Sequence, residues 1–108
     1  MKNFFSLCFL LSFTTSAHAW LGPSVQIVDI YFEGLGNDQR MVIVVDRNIH
    51  TCGWNSAAQI DRNVVGDQAY QTYTSVILSA FHASTKTDLA LIGCTGDRAR
   101  VNAVRIMK

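Results

Sequence analysis

The apolar residues of this chain change their spacing several times, and each change marks an element. From Phe4 to Phe13 they run together, broken only by Ser6 and Ser12. Met1-Lys2 makes a positive start before this run, and Ala17-His18-Ala19 behind it is an A-x-A cleavage signal. The run is shorter than the ~20 apolar residues of a membrane span. It therefore reads as a signal peptide over residues 1–19, with a single exported domain over 20–108 beginning at Trp20. Within that domain Val25 to Glu33 is β-branched and aromatic, and alternation puts Val28, Ile30 and Phe32 on one face of a strand. Gly34-Leu35-Gly36-Asn37-Asp38 is a turn, and the unbroken apolar run Met41 to Val45 predicts a strand buried on both faces. The two strands predict an antiparallel hairpin.

Asp46 to Val65 carries the weakest periodicity, with Ala57 to Val65 predicting a third strand. Gly66-Asp67 then opens a helix, Asp67 being able to cap its first free N–H groups. Tyr70, Tyr73, Ile77, Ala80 and Phe81 recur at steps of three and four, the apolar face of a helix ending near Ser84; Gln71, Ser75 and His82 fall outside it. The chain closes with a second hairpin: apolar Leu89 to Cys94, the turn Thr95-Gly96-Asp97, then Ala99, Val101 and Ala103 alternating with Arg100 and Asn102. Val104 and Ile106 switch the apolar residues to the other face, which predicts a bulge or a last strand covered on both sides. Five strands with one helix and short connections predict an α+β domain, a small antiparallel sheet with the helix packed on it.

A domain of this size gains from a staple. Cys8 leaves with the signal, and Leu7 before it is too large for a lipid-modified cysteine, so Cys52 and Cys94 remain. An even pair in an exported chain predicts a disulfide, since the periplasm and the exterior are oxidising. Charge narrows the partners. Nine Lys and Arg stand against eight Asp and Glu, and loss of Lys2 with the signal brings the formal net charge from +1 to zero. No basic stripe tracks a phosphate backbone, so neither nucleic acid nor an anionic membrane is expected as a partner. Alternation puts Arg98 and Arg100 on one face and Arg105 on the other, which reads as a solvated edge.

The order of elements, with the helix between the third and fourth strands, is similar to the five-stranded Greek-key barrel called the OB-fold. That resemblance implies an OB-like barrel as the alternative to an open antiparallel sheet. Exported OB-fold domains include the B subunits of AB5 toxins, some of which bind sialylated glycans; no binding motif is shared residue by residue. A second likeness lies in Tyr73-Thr74-Ser75-Val76-Ile77-Leu78-Ser79-Ala80-Phe81 and Leu91-Ile92-Gly93-Cys94-Thr95-Gly96-Asp97-Arg98. These resemble a group of small exported bacterial proteins in which a helix of the form YSxLLAAxxxxK leads to a strand ending in GC and a GDRP turn. Ala99 stands where that group has proline. The likeness implies the fold and the bridge rather than an activity.

Chemistry is sparse. His50 and Cys52 form an H-x-C pair, but a zinc site needs three or four ligands, and the other histidine beyond the signal is His82. Asp61, Asp67, Asp97 and Glu33 are acids that no spacing brings together on one element, and Ser75 and Ser79 lack a nucleophile elbow. Gly34-x-Gly36 opens a turn rather than a helix, so it is no phosphate cradle. Neither a catalytic residue, a metal nor a cofactor is expected. Trp54 stands beside Cys52 and near Asn55, Gln59, Asp61, Arg62 and Asn63; an aromatic face ringed by amides and carboxylates suits a sugar. The competing and preferred expectation is that Trp54 covers the disulfide and fills the core. The resulting expectation is an exported, non-enzymatic binding domain for a glycan or a protein surface, with Trp54, Asn55 and Gln59 as candidate ligand contacts. The alternative is a periplasmic immunity or inhibitor protein.

Overall fold

The computed structural model describes residues 24–106; the expected signal over residues 1–19, with Cys8, and Trp20 lie outside them. Strands β1 (Ile27–Glu33), β2 (Arg40–Val45) and β3 (Ala57–Asp61) follow one another as an antiparallel meander. Two helices come next, a short α1 (Arg62–Val65) and the main α2 (Asp67–Ala83). The hairpin of β4 (Thr87–Thr95) and β5 (Arg98–Ile106) ends the domain. The sheet runs β1-β2-β3-β5-β4, and β3 pairs with β5 in parallel. The expected antiparallel sheet is thus a mixed one, because the chain crosses over through α2 and inserts its last strand, not its fourth, beside β3. Val25 and Thr87 exchange both backbone hydrogen bonds, at 2.8 and 2.9 Å, and so tie the start of the chain to β4. That bridge links the segment before β1, at one edge of the sheet, to β4 at the other.

The core lies between the inner face of the sheet and α2. Met41, Ile43 and Val45 from β2 meet Ala58 and Ile60 from β3, Leu89 and Val101 from the second hairpin, and Tyr70, Ile77 and Ala80 from the helix. β2 is buried on both faces, as its unbroken apolar run predicts, with Val42 fully covered on the outer side. β1 departs from expectation. A bulge between Ile27 and Asp29 takes Val28 out of the alternation and leaves it exposed. Phe32, though on the same face as Ile30, is exposed near the strand end, so Ile30 alone of the three packs on the core. The third strand ends four residues early, where Asp61 turns into α1.

The main helix has the expected bounds and, Phe81 apart, the expected inner face. Tyr70, Thr74, Ile77 and Ala80 are buried, Tyr73 is half-buried, and Phe81 is exposed. Asp67 does not cap it: Gly66 occupies the N-cap, and the Asp67 carboxylate accepts instead from Arg62 Nε at 2.7 Å. At the other end Ser84 adopts a left-handed conformation, and the Thr85 N–H closes on the Ala80 carbonyl at 2.8 Å. The expected change of face in the last strand is a bulge at Asn102: Ala90 pairs with Ala103 and Leu91 with Val101. Arg105 is solvated, its side chain 48% exposed, and it also forms a 2.6 Å ion pair with buried Asp88.

The Cys52–Cys94 disulfide is formed, joining the β2–β3 loop to the second hairpin across 42 positions. The loop is fitted closely there. Gly53 has φ +138°, and a Cβ on it would stand 2.8 Å from the Asp97 Cβ, so only glycine suits the position. His50 Nε2–H donates to the Ala57 carbonyl at 2.6 Å, and Nδ1 accepts the Cys52 N–H at 3.0 Å. Both ring nitrogens are therefore engaged in holding the loop. Among the described residues no helix is long and apolar enough to cross a membrane.

Candidate functional site

Alternation decides which side chains leave the core. With Met41, Ile43, Ala58, Ile60 and Val101 pointing inward, their strand neighbours Arg40, Gln59, Asp61 and Arg100 occupy the outer face. Pairing then aligns them in rows. Glu33, Arg40 and Asp61 are successive register partners across β1, β2 and β3; Tyr31, Val42, Gln59 and Arg100 form the next row, which reaches β5 through the parallel pair. Two turns rise beside this face, Gly34–Gln39 between β1 and β2 and Gly96-Asp97 between β4 and β5.

Between them lies a cleft of about 550 Å³, within the roughly 300–1,000 Å³ range of small-molecule sites. Arg40, Gln59, Asp61 and Arg100 line it from the strands, Asp38 and Thr95–Arg98 from the turns, and Asn63 and Val64 from α1. Val64 is the one aliphatic side chain among them. Three arginines face three aspartates, so the cleft is polar without carrying a large net charge.

One carboxylate orders the cations. Glu33 Oε1 accepts from Arg98 Nη2 and from Arg40 Nε, each at 3.1 Å. The Arg98 bond joins residues 65 positions apart and ties the end of β1 to the start of β5. Arg98 is thus largely enclosed, its side chain 16% exposed, which corrects its reading as part of a solvated edge. Hydrogen bonding from Arg98, reinforced by its charge and by Arg40, holds the Glu33 carboxyl below its ordinary value of 4.5 despite the opposing effect of partial burial. A depressed folded value means the stabilisation is complete above about 4.5 and is lost as pH falls through the lowered value. Glu33→Gln should therefore destabilise the protein at neutral pH, and the gap to wild type should narrow in acid. Urea titrations at pH 7 and at about pH 3 would read it, and a gap of the same size at both would show that the carboxylate charge contributes nothing.

Other polar atoms in this region have capacity left over. Gln59 is 2% exposed; its Nε2 donates to Asp61 Oδ1 at 2.6 Å, while its Oε1 has no hydrogen-bond partner. Arg98 Nη1 and Arg100 Nε are buried donors in the same condition. Arg98 Nε lies 3.9 Å from Asp97 Oδ1, beyond hydrogen-bond range.

The three residues singled out from sequence part company. Gln59 lines the cleft. Asn55 serves its own loop, its Oδ1 accepting the Gly53 N–H at 3.0 Å and its carbonyl accepting the Ile49 N–H at 2.7 Å. Trp54 stands behind the cleft turn, its N–H bonded to the Asp97 carbonyl at 2.7 Å. Trp54 is 38% exposed and outside the core, which corrects the expectation that it fills the interior. Asp61 and Asp97, far apart in sequence, both reach the cleft, whereas Asp67 is paired with Arg62 outside its lining. Sequence reasoning missed Asp38 and Arg40 altogether. Among the described residues no group of three His, Cys, Asp or Glu side chains stands close enough to hold a metal. Comparison with family models, curated proteins and solved structures found no match.

Proposed function

We propose that this protein is an exported, non-enzymatic binding domain, secreted or periplasmic, that takes a glycan into the cleft between its two hairpin turns. The observation that carries the reading is the cleft itself, an outer sheet face lined by guanidinium, amide and carboxylate groups, with Gln59 buried in its lining and one acceptor unused. Hydroxyl-rich ligands need that density of donors and acceptors. In five-stranded barrels of the OB type, the face of strands two and three and the turns 1–2 and 4–5 are the usual surface for oligosaccharides and oligonucleotides. Here the balanced arginines and aspartates disfavour a phosphate backbone. The bridged cysteines and the A-x-A signal support export.

A second reading, an immunity or inhibitor protein that covers a toxin or hydrolase, is favoured by a different observation. Val28, Phe32 and Leu35 are 53%, 46% and 88% exposed along the first hairpin, an apolar run suited to a protein surface. Amide chemical shifts of labelled protein, titrated with oligosaccharides that score on a printed array, separate the two. Shifts gathered at Asp38, Gln59 and Gly96 to Arg98 support the cleft. Absence of any array binding, with shifts at Phe32 and Leu35 on adding a candidate effector protein, would replace it with the second reading.

A further inference from the structure

The class of sugar follows from how the charges of the cleft are already committed, an inference that rests on the cleft being the binding site. We propose that its ligand is a neutral, hydroxyl-bearing sugar unit and not a carboxylated one.

The first support is electrostatic. An anionic sugar is held where cations have no nearer partner, and here Arg40 and Arg98 share Glu33 at 3.1 Å. A ligand carboxylate would have to displace Glu33 to pair with Arg40 or Arg98. At Arg100, which has no ion pair with Glu33, it would still sit in a cleft lined by Asp38, Asp61 and Asp97, where like charges repel it. The second support is the kind of hydrogen bonding left over. Gln59 Oε1 is an acceptor in need of a donor, and Arg98 Nη1 and Arg100 Nε are donors in need of an acceptor. Both kinds belong to residues lining one cleft. A hydroxyl donates and accepts at once, so vicinal hydroxyls can meet both. A carboxylate only accepts; it could answer the guanidinium groups but would set negative oxygens against the Gln59 carbonyl. Asp97, 63% exposed at the rim, is a further acceptor for a hydroxyl and a repulsive neighbour for an acid.

The test uses the disulfide-bonded protein against matched pairs of oligosaccharides, each neutral member beside its sialic- or uronic-acid-terminated counterpart, for example lactose and 3′-sialyllactose. Neutral members should bind, and the acidic counterparts should bind no more tightly. Gln59→Met should weaken neutral binding about tenfold, as expected for a buried hydrogen bond lost. Asp97→Asn at the exposed rim should weaken it as well, and serves if the Gln59 variant fails to fold. A tenfold preference for the acidic members, abolished by Arg98→Gln, would overturn the neutral class while leaving the cleft as the site. Binding by no member, or neutral binding untouched by both variants, would overturn the cleft reading and this inference with it.

Discussion

Replacing both Cys52 and Cys94 by serine should remove about 4 kcal/mol of stability. The bridge closes a loop 42 positions long, and the unfolded chain regains that much conformational freedom when it is cut. For a domain of this size the loss corresponds to a fall in melting temperature of about 20 °C or more. A local effect should accompany it. The β2–β3 loop meets the second hairpin through this bridge and through the Trp54 N–H bond to the Asp97 carbonyl, so the loop should loosen together with one wall of the cleft. Thermal melts by circular dichroism measure the first effect, and exchange of the Trp54 amide proton measures the second. A change of less than about 1 kcal/mol would show that the unfolded chain is already constrained without the bridge.

Ile77→Ala should cost about 2–5 kcal/mol, and Phe81→Ala about 1 kcal/mol or less. Ile77 is fully buried between α2 and the sheet, where removing its methyl groups leaves a cavity that rigid neighbours cannot close. Phe81 is one turn further along the same face, close to the helix end at Ala83, and is 40% exposed. Urea denaturation of the two variants gives the comparison directly. Equal losses would mean that the core extends to the end of the helix and covers Phe81 as well.

The helix shows how far pattern alone reaches. Its period and its bounds were legible because an amphipathic helix repeats the same instruction every turn. Where burial stops along its inner face was not legible: polar Thr74 is buried within it, while apolar Phe81, near the helix end, is exposed. β1 is a similar case: a single bulge after Ile27 takes Val28 out of an alternation that reads clearly as Val28, Ile30 and Phe32. Phe32 keeps the face of Ile30 but is exposed near the strand end. The bulge at Asn102 was legible, because there the change of face is written in Val104 and Ile106. In the candidate site, Gln59 was picked out by its amide near Trp54, although the tryptophan that drew attention to it stands outside the cleft lining.

By itself the sequence determined what local spacing can encode: five strands and one main helix in order, and the pairing of Cys52 with Cys94. Tertiary structure alone decided the site. Placing β5 rather than β4 beside β3 brings Arg100 opposite Gln59 and sets Arg98 within reach of Glu33, 65 positions away. Neither contact has a local signature, because a strand specifies which side each residue faces but not which strand will lie next to it.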